Sequence, residues 1–249
     1  MERMIRLNID LVLYTGKDIV FESNFKIHQP TIAELSERLP DEKDFFKLVQ
    51  VLTIKNSESP RENFQTFLML LLGWQNILDE NSRIGILKLL ELLFKDYSLK
   101  LDKEELNIQI WKNNDFIVLN GENFVKFQDI IKGIFAYDTI FKGGKEGDYN
   151  PGNDKAREIA EKLKKRHQKI AEQKGNQDKS FFGNYLSVVS IGLGIDMTTL
   201  SEKLTVFQLI KELERIGMKQ NFEQLLRIKT SFVTAGSSKE PLEDWMRFI

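Results

Sequence analysis

Cysteine is absent from the 249 residues, and histidine occurs only at His28 and His167. Without cysteine the chain has no disulfide, no thiolate metal ligand and no cysteine nucleophile, which fits a reducing compartment. A zinc site needs several converging histidine, cysteine or carboxylate ligands, and this chain has little material for one. Neither histidine has a nucleophile at a recognisable spacing. We therefore expect no enzyme activity and no cofactor, with His28 a hydrogen-bonded boundary residue and His167 solvated.

Long apolar runs are also missing. The longest, Phe67 to Trp74, is interrupted by Gly73 and falls well short of the roughly 20 residues that a membrane-spanning helix needs. Residues 1–4 lead into an alternating pattern and not into the apolar core of a signal peptide. With 36 basic and 37 acidic residues the formal charge is −1, which argues against a generally basic, nucleic-acid-binding protein. We expect a soluble intracellular protein without a membrane partner.

The N-terminal part predicts a β-hairpin followed by capped helices. Residues 5–13 and 19–27 alternate apolar and polar side chains around a turn-like segment at 15–18. Thr31 and Glu34 form a capping-box pattern, and Ser59-Pro60-Arg61-Glu62 supplies an N-cap, a first-turn proline and an N3 glutamate. Helices are predicted from 31 to about 40, 41 to 52, 60 to 78 and 84 to 97. The third is apolar nearly all round, so we expect it to be the central helix and the fourth to cover it.

A small antiparallel sheet is predicted next. Leu106, Ile108 and Ile110 alternate with polar residues, and Asn120-Gly121, a dipeptide typical of tight hairpins, joins 116–119 to 124–127. A helix over 128–137 then closes the first domain. The fold class is α+β, with an N-terminal mixed domain at 1–140 built from small antiparallel sheets and helices.

The composition changes at the glycine-rich segment 141–152, which we interpret as a linker. A polar helix is predicted over 153–175, and an all-helical C-terminal domain over 176–249. The helices of that domain are predicted at 181–193, 206–216 and 222–233, the second opened by the Thr205-x-x-Gln208 capping pattern, with a last turn through Trp245. Gly192 and Gly194 are interpreted as a helix stop and not as a phosphate loop.

The polar helix is the one strongly basic segment. Residues 154–174 contain eight Lys or Arg and four acids, a local charge of +4. Phosphate contact is one interpretation. We favour a solvated helix that presents a docking face, because its acids alternate with its bases and Glu158 and Lys162 have a favourable i,i+4 spacing.

Four segments carry a family resemblance: His28-Gln29-Pro30-Thr31-Ile32-Ala33-Glu34-Leu35 after the hairpin, 153–162 after the linker (NDKAREIAEK), 204–209 (LTVFQL), and Trp245-Met246. With these, the chain resembles a tail assembly chaperone of tailed bacteriophages that infect Gram-positive hosts. Residues 54–112 match nothing in that pattern, and the 143–152 junction is longer and richer in glycine than the pattern has it.

The resemblance implies a non-enzymatic protein of the host cytoplasm, absent from the mature virion. It would keep the tape measure protein soluble while tail tube subunits polymerise around it, so the tape measure protein and the tail tube protein are the expected partners. Amphipathic helices bind in apolar grooves. We therefore expect partner contacts at Ile159, Leu163, Lys164, Lys165, Arg166, Trp245, Met246 and Phe248.

Two alternatives stay open. A permanent virion component of the tail, connector or baseplate would use the same domains, and a host-directed or nucleic-acid-binding module would use the basic helix. The sequence argues against nucleic acid as a partner but does not determine the oligomeric state.

Overall fold

The computed structural model describes residues 11–39, 42–74, 77–102, 104–141 and 180–232. They form an α+β fold of helices and two small antiparallel sheets, with helices alone in the C-terminal described range, as predicted. The first elements are helix α1 (11–15), strands β1 (Ile19–Glu22) and β2 (Phe25–Ile27), and helices α2 (Ile32–Arg38), α3 (Glu42–Leu52), α4 (Pro60–Leu72) and α5 (Glu80–Leu93).

The later elements begin with a three-stranded sheet. They are strands β3 (Ser98–Asp102), β4 (Asn107–Lys112) and β5 (Asp115–Leu119), then helices α6 (Phe124–Ile134), α7 (Tyr137–Phe141), α8 (Phe181–Leu193), α9 (Met197–Lys203) and α10 (Val206–Phe232).

The first hairpin lies later in the chain than predicted. β1 pairs antiparallel with β2, whereas residues 11–15 are helical, so the strand predicted to reach residue 13 is wrong there. Leu13 is 2% exposed and packs against α6, where a Cβ on Gly133 would lie 3.1 Å from Leu13 Cδ1. Gly16 has a φ of 66° and donates its backbone N–H to Leu13 O, so it ends a helix and does not form the hairpin turn.

The predicted helix starts at Thr31 and Ser59 are confirmed. Thr31 and Glu34 form a complete capping box, and Ser59 accepts a hydrogen bond from the Glu62 amide with proline in the first turn. The helix that begins at Pro60 was predicted to extend to residue 78, which is wrong, because Gly73 (φ 74°) ends α4 after Leu72. α5 likewise begins earlier than predicted, with Asp79 as its N-cap.

The second sheet is confirmed in part. β4 pairs antiparallel with both β3 and β5, placing Ile108 opposite Leu101 and Leu119. Residues 124–127 are the first turn of α6, however, so the strand predicted there is wrong. A Cβ on Gly121 would lie 2.7 Å from Arg61 Cα, so this glycine serves a close backbone approach and not a hairpin turn.

The most central helix is α6 and not α4, which corrects the sequence prediction. α6 contacts α3, α4, α7, α10 and β1. Its two phenylalanines, Phe124 and Phe127, are fully buried, and Phe124 stacks on Phe67 of α4 at a centroid distance of 5.4 Å. By comparison, α4 has its main contacts with α5 and α6. The predicted exposed stripe of Lys88, Glu91 and Lys95 is confirmed.

The C-terminal helices share one hydrophobic core with the N-terminal elements. The ring centroids of Phe182 in α8 and Phe45 in α3 are 5.2 Å apart, and the Ile32 amide of α2 donates to Leu204 O. The Thr205–Gln208 capping pattern is confirmed in both directions. The helix break predicted between 216 and 222 is wrong, because α10 continues through Gly217. The predicted domain boundaries at 140, 152 and 175 stay predictions, since 142–179 lie outside the described residues.

None of the helices in the described ranges is long and apolar enough to span a bilayer.

Candidate docking surface

The residues that the sequence predicts as partner contacts lie outside the described residues. They are Ile159, Leu163, Lys164, Lys165, Arg166, Trp245, Met246 and Phe248. The basic helix, the glycine-rich linker and His167 lie outside as well, so their predicted roles stay predictions. The described residues offer a different apolar surface, on α8.

Helix α8 has apolar side chains on two sides. Phe182, Leu186 and Val189, at i, i+4 and i+7, are buried in the common core. On the other side Val188 is 43% exposed and Ile191 is 82% exposed. A helix of a globular protein normally directs one apolar stripe to the core and polar residues to solvent, so the second stripe of α8 is unusual.

The chain after α8 extends this surface. Gly194 adopts the left-handed conformation (φ 68°) and ends the helix, as the sequence predicts. The Ile195 amide then donates to Ser190 O at 3.2 Å, which folds Ile195 back against the last turn of α8. Ile195 is 40% and Met197 41% exposed. We call Val188, Ile191, Ile195 and Met197 the α8 face.

Three of the four side chains of the α8 face, Val188, Ile191 and Ile195, lie in a segment without charged residues, and the exposed N-cap Asp196 follows before Met197. No Asp, Glu, Lys or Arg occurs from Phe181 through Ile195. A second group of exposed apolar residues, Trp74, Ile77, Ile84 and Leu87 around the start of α5, has several charged residues in its sequence range, Glu80 among them, and Lys88 directly after it, whereas the α8 face has Asp196 alone. A group of exposed apolar side chains marks an interaction site more strongly than scattered apolar residues do.

The other side of α8, opposite the α8 face, packs closely against the rest of the fold. A Cβ on Gly192 would lie 2.5 Å from Ile216 Cδ1, so glycine allows α8 to approach α10 closely at the level of Ile191. Val189, one residue after Val188, is completely buried. At Gly194 a Cβ would meet nothing within 4 Å, which shows that this end of the face is open.

The main polar cluster lies elsewhere, at His28. The ring Nδ1 is 3.0 Å from Asp18 Oδ1, and Nε2 is 3.0 Å from Glu34 Oε2. Glu34 Oε1 also accepts from Lys95 Nζ at 2.7 Å, and Glu34 Oε2 accepts from the Thr31 amide. The prediction that His28 is a hydrogen-bonded boundary residue is therefore confirmed.

The Glu34 carboxylate is held in its charged form. Burial raises the pKa of Glu34, but hydrogen bonds from Lys95, Thr31 and His28 outweigh burial and lower the pKa from 4.5 to about 2. The Glu34 carboxylate in turn raises the pKa of Lys95. This is the arrangement of a structural ion-pair network, in which each group fixes its neighbour.

Other polar groups in the described ranges support turns. Asp102 Oδ1 accepts from the amides of Glu104 and Glu105, as expected for a charged turn. Within these ranges no group of three or more His, Asp or Glu side chains is placed to hold a metal ion.

Comparisons with protein-family models, with curated proteins and with solved structures each found no match for this chain.

Sequence reasoning missed the α8 face, although a signal was present. The buried stripe and the exposed stripe are both apolar, so periodicity alone identifies the helix but not the side that faces solvent. The absence of charge from Phe181 through Ile195 was the informative feature. A helix that had only one buried side would be expected to carry charges on the other.

Proposed function

We propose that this protein is a non-enzymatic tail assembly chaperone of a tailed bacteriophage, which binds the tape measure protein during tail assembly. The observation that carries the proposal is the α8 face, an open apolar surface formed by Val188, Ile191, Ile195 and Met197, in which Asp196 is the single charged residue between positions 188 and 197. The resemblance of residues 28–35, 204–209 and the other quoted segments supplies the identity of the partner.

The chemistry of the face fits one kind of partner. A tape measure protein is a long helical chain, and such helices expose apolar side chains at i, i+3, i+4 and i+7 until they find their final neighbours. Because residues 181–195 include no charged side chain, a partner helix can cover Val188, Ile191 and Ile195 without burying a charge of that segment, and unpaired burial of a charge would be costly. Release needs no chemical step, because the interaction is reversible.

The experiment is co-expression with the tape measure protein and the tail tube protein of the same phage. The full chain should raise the soluble fraction of the tape measure protein and co-purify with it. A chain truncated at Gly152 is a poor test, because it lacks Phe182, Leu186 and Val189 of the common core. Substitutions on the α8 face are therefore preferable.

A second experiment separates the alternative, a permanent virion component of the tail, connector or baseplate. Mass spectrometry of purified particles should find the chain absent or scarce if it is a chaperone. A fixed copy number in the particle, together with no retention of the tape measure protein, would replace the chaperone proposal with the structural one.

A further inference from the structure

Residues 28–32 connect four parts of the fold. The His28 amide donates to Leu93 O at the end of α5 at 2.7 Å, and the Gln29 side chain donates to Val12 O in α1 at 3.1 Å and to Lys17 O. Thr31 forms a β-bridge with Thr205, and the Ile32 amide donates to Leu204 O. The N-terminal hairpin, α1, α5 and the start of α10 therefore meet at this junction.

The imidazole of His28 is the titratable group at its centre. Both ring nitrogens lie 3.0 Å from a carboxylate oxygen, Nδ1 from Asp18 and Nε2 from Glu34. An imidazolium donates from both nitrogens, whereas a neutral imidazole has one N–H and one lone pair. Only the protonated ring can make both hydrogen bonds of the observed geometry.

The surrounding charges are predominantly negative. Two carboxylates contact the ring, Asp18 from the loop before β1 and Glu34 from α2. Lys95 after α5 is paired with Glu34, and Asp96 acts on Lys95. The connection between α9 and α10 contributes the uncharged Leu204 and Thr205, which contact Ile32 and Thr31. Glu34 remains ionised near neutral pH, since its partners lower its pKa to about 2.

The geometry points to a proton-dependent latch: protonated His28 clamps the Asp18 loop to the N-terminus of α2, and the neutral ring releases Asp18 while it keeps Glu34. This inference is independent of the proposed partner. Glu34 is retained because Lys95 and Thr31 also hold it. Asp18 is the weaker side, because it lies on the loop and its side chain is 40% exposed. Release of Asp18 loosens the segment that carries Gly16, which lies against the Gln208 side chain of α10.

The test uses the full chain with His167→Gln, which leaves His28 as the only histidine. Unfolding by urea between about pH 5.5 and pH 8.5 is compared with that of the His28→Gln/His167→Gln variant. Loss of one charged hydrogen bond on a partly exposed site should lower the folding equilibrium constant about five- to tenfold more in the chain that retains His28. Identical pH profiles for the two proteins would overturn the latch.

A second measurement does not depend on the stability of a variant. Nitrogen NMR of the His28 ring should show protons on both ring nitrogens near pH 5.5 and only the Nε2–H tautomer near pH 8.5. Hydrogen exchange of the Gly16 amide, corrected for its intrinsic pH dependence, should become faster over the same range. An Nδ1–H tautomer at high pH would overturn the assignment of Asp18 as the released partner.

Discussion

Two neighbouring positions on α8 provide a sharp contrast. Val189 is completely buried, whereas Ile191 is 82% exposed. Replacing Val189 with alanine removes buried methyl groups and should lower the free energy of unfolding by about 2 kcal/mol. Replacing Ile191 with serine, a residue of similar helix propensity, should change it by less than about 0.5 kcal/mol.

The order should reverse for partner binding. Complete burial of an isoleucine side chain contributes about 1.5–3 kcal/mol, and most of the Ile191 side chain is still available for burial by a partner. Ile191→Ser should therefore weaken binding of the tape measure protein by about 1–2 kcal/mol, or roughly 5- to 30-fold. Val189→Ala should change the affinity little under conditions in which the protein stays folded.

The assays are urea unfolding followed by far-ultraviolet circular dichroism, and titration of the purified chain against a soluble fragment of the tape measure protein. Equal loss of stability in the two variants would show that Ile191 is packed and that the α8 face is not open. Unchanged affinity of the Ile191→Ser variant would show that the face does not dock the partner. Either result would refute the reasoning.

Three further predictions concern stability. Gly73→Ala should cost about 1–2 kcal/mol, because φ is 74° and alanine is strained in that conformation. Gly217→Ala, within α10 and with nothing within 4 Å of the new Cβ, should stabilise by about 0.5–1 kcal/mol; thermal unfolding compares the pair. Glu34→Gln should lower the free energy of unfolding at pH 7 by about 1–2 kcal/mol. Because the pKa of Glu34 is depressed in the folded state, its carboxylate stabilises the wild-type fold above pH 4.5, and this stabilisation is lost as the pH falls toward 2. Acid unfolding of the Glu34→Gln variant should lack this pH-dependent loss. Phe182→Ala should cost about 3–5 kcal/mol and leave one cooperative calorimetric transition, because α8 shares the core; two separate transitions, with only one shifted, would contradict this.

Local signals in the sequence were sufficient for the capped helices. Thr31 with Glu34, Ser59 with Glu62, and Thr205 with Gln208 each make the hydrogen bonds that their spacing predicts. A cap depends on residues within one turn of each other, so it forms with little influence from the rest of the fold. The α+β class followed from these helices and the alternation in β4 and β5.

Glycine caused most of the errors, because one residue type serves several purposes. Gly16 and Gly121 both suggested hairpin turns, yet Gly16 ends α1 and Gly121 allows the chain to pass Arg61 closely. The break predicted between residues 216 and 222 is wrong as well, because α10 continues through Gly217. Such distinctions depend on tertiary neighbours, which a local pattern does not contain.

The candidate surface was the least predictable feature. An apolar position at helical spacing is expected in the core, and only the packing of α8 against α3 and α10 determines that Val189 is buried while Val188 and Ile191 face solvent. The His28 cluster also depends on distant residues, since Lys95 lies 61 positions from Glu34 in the sequence.

The most direct test of the chaperone proposal measures how much tape measure protein co-purifies with the chain after co-expression. The Val188→Ser/Ile191→Ser variant is compared with the wild-type chain and with Val20→Ser, a matched control whose apolar side chain is 57% exposed on β1. We predict that wild type and Val20→Ser retain soluble tape measure protein and that the double variant, folded and equally abundant, retains roughly tenfold less or none. Equal retention by all three chains, or retention by none, would contradict the proposal.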